Sequence, residues 1–469
     1  MTQIGTSAQP LRVAIIGSGP SGFYVAEHLF NQKDLVVEID MFERLPTPYG
    51  LVRFGVAPDH QKIKSVTATF EKIARHPRFR FYGYVEFGKH LTLQDLKEYY
   101  HQIVFTTGAQ TDRRMGIPGE DLQRSHPATE FVAWYNGHPD YRDLQFDLSQ
   151  ERVAVVGIGN VAVDVARILC RTPDELVKTD IADYALEALR QSRVKEVYML
   201  GRRGPAQAAF TTPEIKELGE LADADVLVLP EEAELDPLSK ASLEKSQDRA
   251  IRRKVEILQE YAQRKPTGKS RKLTIRFLVS PVELYGNAEG QVVSMRLVRN
   301  VLYETEGGTL RPRHTDQFEE LPVGLVFRSV GYRGVSLPGV PFHEQWGVIL
   351  NQKGRVIDAE TSQPVVGEYC AGWIKRGPTG VIGTNKPDAL ETVQCMVEDL
   401  QRGAVLQPTY PEASTAEKLI QERQPLYFSF ADWLRLDALE IEKGKAIGRP
   451  RLKFTRIEDM LAALGKSST

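Results

Sequence analysis

The residues best placed to do chemistry are glycines. Gly17, Gly19 and Gly22 in GSGPSG follow the apolar run Val13–Ile16 and precede a helical pattern that continues to Phe30. At this spacing they permit a tight turn, let the backbone approach a pyrophosphate and let helix and strand pack closely, while the helix N-terminus offers unpaired N–H donors to an anion. The next apolar stretch, Leu35–Phe42, ends at Glu43, 26 residues after Gly17, where a carboxylate accepts from ribose hydroxyls and repels a 2′-phosphate. This site should therefore take FAD or NAD. A second string places Gly157, Gly159 and Ala162 in the same three positions, between Val153–Val156 and a helix through Leu169. Its following strand, Val197–Leu200, ends not in an acid but in Gly201-Arg202-Arg203-Gly204, and paired guanidinium groups suit a 2′-phosphate through charge-assisted bonds. NADP is the indicated ligand. Gly157 and Arg202 are 45 residues apart, against the usual ~20, so an insertion is expected in the polar stretch Arg171–Ser192.

An FAD-type and an NADP-type site in one chain suit a flavin-dependent oxidoreductase: nicotinamide gives hydride to the flavin, which releases electrons singly. Cys170, Cys370 and Cys395 are too far apart for a CxxC pair or for zinc or iron–sulfur spacing, so a thiol acceptor and a resident metal are both disfavoured. Lys plus Arg number 60 against 62 Asp plus Glu, a net of -2, so no bulk field favours nucleic acid or an anionic membrane. Apolar runs such as Val13–Ile16 are strand-sized and far below the 18 or more residues of a membrane span. Met1–Pro10 carries neither a basic residue nor an apolar core, so the expected location is the cytoplasm.

The elements that must position these residues follow an α/β order. With 469 residues, 42% of them hydrophobic, two or three domains with sizeable cores are expected. Ile103–Gly108 reads as a buried strand ending in a glycine turn, followed by Gly116-Ile117-Pro118-Gly119, and the first boundary is placed there. A helical stretch at 240–263 and strands at Thr274–Val279 and Val292–Val298 continue the second nucleotide unit. Leu325–Gly331 then repeats the strand-to-glycine ending, which suggests that the chain returns to the first domain. The predicted architecture is two Rossmann-like domains: a discontinuous FAD domain, 1–108 and 325–469, and an NADP domain inserted at 109–324. Tail helices are expected at Phe430–Lys443 and Ile457–Leu464.

Three long strings carry a resemblance: Glu43-Arg44-Leu45-Pro46-Thr47-Pro48-Tyr49-Gly50-Leu51-Val52-Arg53-Phe54-Gly55-Val56-Ala57-Pro58-Asp59-His60, the segment from Gly201 through Phe210-Thr211-Thr212-Pro213-Glu214, and the segment Gly372–Lys386. With both fingerprints, covering residues 11 to about 400, the sequence resembles mitochondrial adrenodoxin reductase and its bacterial NADPH-ferredoxin reductase relatives. The resemblance implies an NADPH:ferredoxin oxidoreductase holding FAD, with a ferredoxin as partner, itself serving a cytochrome P450 or another consumer. The missing targeting segment favours the bacterial branch. It also implies FAD contacts at Ser21, Glu43, Leu51, Phe87, Trp373, Gly380, Val381 and Ile382, and NADP contacts at Ile158, Gly159, Asn160, Val161, Arg202, Arg203, Glu214 and Gly380. Phe87 is larger than the residue often found in the family, and Ile158 replaces a residue that is often polar.

His60 and Glu214 match a pair near the flavin and nicotinamide, for proton relay or for positioning. Thr212-Pro213-Glu214 also reads as N-cap, N1 and first-turn acid of a helix. An acidic ferredoxin would dock on a basic face, with candidates Arg190, Arg193, Lys195, Lys216, Arg252-Arg253-Lys254, Arg449, Arg451 and Lys453. Two alternatives share the double fingerprint: an electron-transfer flavoprotein of the glutamate synthase small-subunit type, and a non-catalytic redox sensor.

Overall fold

The strand Leu11–Ile16 is buried at each of its six positions, as a central parallel strand covered on both faces is, and its one charged residue, Arg12, is paired with Asp40. A computed structural model describes residues 3–466 and divides them into two compact units. The first comprises the chain up to Val56, His60–Thr111 and the chain from Tyr332 onward; the second comprises Ala57–Asp59 and Asp112–Gly331.

In the first unit Leu11–Ile16 lies between Val37–Glu43 and Gln102–Phe105, all parallel, with Phe79–Gly83 beyond one and Pro364–Cys370 beyond the other. Val13 and Ile15 enter the core on one face of this sheet, and Ala14 and Ile16 the core on the other. The first face is covered by helices Pro20–Phe30 and Asn385–Gln401 and by the tail helix Phe430–Lys445, which supplies Trp433 and Leu436. That tail helix is begun by a capping box, Ser429 with Asp432.

The second unit is built on a six-stranded parallel sheet in the order Ser125–Pro127, Leu325–Arg328, Arg152–Val156, Glu196–Leu200, Arg271–Arg276, Ala224–Val228. Val153 and Val155 pack under helices. Ala154 and Val156 pack under an antiparallel sheet of Val279–Gly286, Val292–Glu304 and Leu310–Pro322. The stretch 171–192, where the extra residues were expected, forms helices Pro173–Leu176 and Asp183–Arg190, which bury Leu176, Ala185 and Leu189 in the same core.

The expected boundary at 325 is corrected. Leu325–Arg328 pairs in parallel with Arg152–Val156, Leu325 opposite Val153, so it belongs to the second unit, and the chain re-enters the first only at Tyr332. The echo of Ile103–Gly108 in Leu325–Gly331 marks equivalent places in two similar sheets. In each, the strand beside the fingerprint strand brings its end against the first fingerprint glycine. A Cβ on Gly17 would meet the Thr106 carbonyl at 2.5 Å, and one on Gly157 the Ser329 carbonyl at 2.2 Å. The first crossing likewise falls at Thr111/Asp112 rather than 108.

Candidate functional site

Each fingerprint becomes a strand, a turn and a helix whose N-terminus is left open. The N-caps of Pro20–Phe30 and Asn160–Cys170 are Gly19 and Gly159, and neither helix has a side-chain cap. Capping boxes or acids close the starts of Leu93–Tyr99, Pro173–Leu176 and Arg249–Gln263 instead. Gly17 and Gly157 have φ of 107° and 136°, outside the range of most side chains, while a Cβ on Gly19 or Gly159 would meet nothing within 4 Å. Space and free donors thus coincide where a pyrophosphate would lie.

In the first unit Glu43 ends its strand as expected and is held there. Ser18 donates to its Oε2 from both N–H (3.3 Å) and Oγ (2.5 Å), and the Leu45 N–H donates to Oε1 at 3.0 Å. Leu51 is brought to the turn by the Tyr49 N–H donating to the Ser18 carbonyl and by Gly50, whose added Cβ would lie 3.1 Å from the Gly19 Cα. Thr47 is buried, and its Oγ1 has no partner among the described residues, a polar atom that a bound FAD would satisfy. Phe87 packs edge-on against Phe105 at the end of its strand. These residues fit the adenosine and pyrophosphate half of FAD.

The segment 372–388 closes the same end of this sheet. Ser21 donates to Asn385 Oδ1 at 3.1 Å, joining the fingerprint helix to the start of Asn385–Gln401. The half-buried Trp373 donates from Nε1 to the Thr379 carbonyl at 3.1 Å, while the exposed Gly380 and Val381 and the half-buried Ile382 form the run into that helix. Three residues that the sequence reading missed hold this run. Arg376 donates to the Thr379 carbonyl, Thr384 Oγ1 and Asn385 Oδ1; Asp388 accepts from the Gly372 N–H at 2.6 Å; Lys375 bonds Glu391 at 2.8 Å and Asp388 at 3.2 Å. Their signal was available, since a cation pair lies one turn and a loop ahead of an acid in a helix start, but only the fold says that they meet.

In the second unit the Ile158 carbonyl accepts from the Ala209 and Phe210 N–H groups, Asn160 Oδ1 accepts from the Thr211 N–H, and Val161 packs on the core. The backbone of Ile158 is thereby tied to the segment after the arginine pair. Arg202 is exposed and Arg203 half-buried, and neither guanidinium has an ion pair among the described residues. Burial, and then repulsion from Arg202, holds Arg203 below its ordinary pKa.

Glu214 lies in the first turn of Thr212–Leu218, whose N-cap is Thr211, one residue earlier than expected. Its carboxylate sits 3.5 Å from the fully buried Arg167, which also pairs with Asp59 at 2.7 Å and Asp164 at 2.8 Å. His60 follows Asp59 directly and begins the turn Gln61–Lys64.

The docking candidates separate. Arg449 and Lys453 are buried, Lys453 donating to the Arg53 carbonyl, and Arg451 pairs with Asp437 and Glu440, so these three hold the tail rather than form a face. Lys254 is buried as well. Arg190, Arg193 and Lys195 precede the amino end of Glu196–Leu200, whereas Arg202 follows its carboxyl end. A five-residue strand sets these ends roughly 17 Å apart. Arg253 is tied to Glu256 and Glu260, and Arg252 caps the carbonyls of Leu243 and Ser246. Lys216 remains exposed without a described ion pair. All three cysteines are buried and free of disulfides. No helix among the described residues is long and apolar enough to cross a membrane.

Comparison with known proteins places this geometry. The model of the pyridine nucleotide-disulphide oxidoreductase family matches residues 11–203. NADPH-ferredoxin reductase FprA of Mycobacterium tuberculosis is 45% identical over 97% of the chain and 99% of its own length. Mitochondrial NADPH:adrenodoxin oxidoreductase of Bos taurus is 41% identical over 98% of the chain and 93% of its own. The solved structure of M. tuberculosis FprA in complex with NADPH superposes with a TM-score of 0.91 at 44% identity, covering 97% of this chain and all of that one.

Proposed function

The chain belongs to the family of adrenodoxin reductase and its bacterial NADPH-ferredoxin reductase relatives, and on that premise we propose which of its residues carry electrons from NADPH through FAD to a ferredoxin. Bound FAD supplies the conversion of a hydride donor into a source of single electrons. The first unit holds it. Gly17, Gly19, Ser21 and Gly22 seat the pyrophosphate at the helix N-terminus, Glu43 takes the ribose, Leu51 and Phe87 enclose the adenosine half, and Trp373 with Gly380, Val381 and Ile382 lines the ring.

The second unit binds NADPH, the pyrophosphate on Gly157, Ile158, Gly159, Asn160 and Val161 and the 2′-phosphate on Arg202 and Arg203. Hydride transfer requires no general base, so His60 and Glu214 are assigned to positioning the reacting groups, Glu214 being held by Arg167. The finer reading is a ferredoxin–NADP(+) reductase working in the cytoplasm, its ferredoxin serving a cytochrome P450 or another iron–sulfur consumer.

The observation that carries the assignment is the contrast between two strand ends: a carboxylate fixed at Glu43, and two guanidinium groups with no ion pair among the described residues at Arg202 and Arg203. Anaerobic visible spectra before and after NADPH or NADH, followed by ferredoxin reduction, test it. Flavin colour bleached much faster by NADPH, with turnover on ferredoxin, is expected. A protein that stays colourless after FAD is added sinks the FAD assignment, and a yellow one indifferent to both nucleotides sinks the enzyme.

A further inference from the structure

Lys254 is a cation in an unusual place. It lies in the helix Arg249–Gln263, 8% exposed, and the only acceptor described for its Nζ is the Ala208 carbonyl, with the Phe210 ring centroid 5.9 Å away. An ammonium has three N–H donors, and no carboxylate is paired with this one among the described residues. Burying such a charge is costly unless an anion comes to it.

Its surroundings sharpen the point. Burial first, and then Arg203, act to lower the Lys254 pKa, while Asp248 opposes them from the helix start. The helix precedes the strand Arg271–Arg276, so its first turns stand at the carboxyl end of the parallel sheet, the end at which Arg202 and Arg203 follow Glu196–Leu200. Ala208 belongs to the short segment after the arginine pair, and the next two residues, Ala209 and Phe210, donate to the Ile158 carbonyl of the second fingerprint. Lys254 thus fastens one side of the segment whose other side is fastened to the nucleotide turn.

We infer that Lys254 is a positioning residue that sets selectivity for the 2′-phosphate: it holds Ala208, and so the Gly204–Phe210 segment, and adds a third positive charge behind Arg202 and Arg203. The ligand chemistry is a phosphomonoester dianion on a ribose. This rests on the reading of Arg202 and Arg203 as the 2′-phosphate site.

The test measures binding of adenosine 2′,5′-bisphosphate and of 5′-AMP to the FAD-loaded protein by calorimetry. Lys254→Gln keeps a donor for Ala208 and removes the charge. It should weaken the bisphosphate about tenfold, the scale of one charged hydrogen bond, and leave 5′-AMP within about twofold. Lys254→Arg should recover most of the loss, which a role in packing alone would not produce. Equal weakening of both ligands, or of neither, overturns the inference. Arg202→Gln is the separate control: if it leaves the bisphosphate unaffected, the phosphate-site reading fails whatever Lys254 does.

Discussion

Arg202 and Arg203 are where a single side chain decides which dinucleotide enters. Replacing either with Gln should cost about 1.5–3 kcal/mol of transition-state binding for NADPH and little for NADH, reducing the ratio of their kcat/KM values at least tenfold. The cysteines give a contrasting prediction. Burial raises the Cys170 thiol to about 12 and pushes Cys370 up as well, so thiol reagents should leave the native protein unlabelled at neutral pH and its activity intact. Rapid labelling with loss of turnover would return a thiol to the chemistry. At this scale the sequence was most legible where charge alone carries the information. It was least legible for Arg376 and Asp388, whose work depends on which loop lies against which helix.

Elements position the nucleotides, and the fingerprint glycines divide by what surrounds them. Gly17→Ala must clash with the Thr106 carbonyl at a φ of 107°, so it should lower the melting temperature as well as release FAD. Gly19→Ala meets only open space, so in the flavin-free form it should melt with the wild-type apoprotein, unlike Gly17→Ala, while still losing flavin. Equal thermal effects of the two would contradict the cradle. The tail is held by an ion network. Burial alone would raise the Glu440 carboxyl, but Arg53, at 2.5 and 2.8 Å, with help from Arg451, outweighs it and holds the pKa below the usual carboxylate range. Glu440→Gln should destabilise the fold by about 3–5 kcal/mol, since it leaves Arg53 buried without its partner. Chemical denaturation measures it, and a loss under about 1 kcal/mol would relegate the network to a minor role. Because Arg53 follows Leu51 by two residues, the same variant should also retain FAD less tightly.

For the whole molecule, His101 links stability to pH. Burial, and then Arg12, lowers its pKa to about 4, and its neutral Nδ1 accepts from the Arg12 N–H at 3.0 Å. The unfolded chain binds this proton near the ordinary histidine value of 6.5 and the native state only near 4, so the stability His101 contributes is intact above 6.5 and falls as pH drops through that window. His126, also near 4, acts the same way, and Asp112, raised to about 6 by burial, opposes both. His101→Asn should therefore flatten the pH dependence of the unfolding midpoint between about 6.5 and 4, and an unchanged slope would refute the assignment. Lys216→Glu should raise KM for an acidic ferredoxin several-fold and reduce its dependence on salt.

The sequence by itself determined the two fingerprints, the acid at Glu43, the bases at Arg202 and Arg203, the want of a cysteine pair and the family, because each is written in contiguous residues or in their charge. The tertiary structure decided that Leu325–Arg328 belongs to the second sheet, that 171–192 is packed helix, and that Arg449, Arg451 and Lys453 hold the tail rather than form a docking face. It alone set Lys254 on the Ala208 carbonyl, 46 residues back along the chain. Strand pairing and burial are relations between distant segments: a strand reads the same in either sheet, and a lysine the same buried or in water, until packing assigns its neighbours.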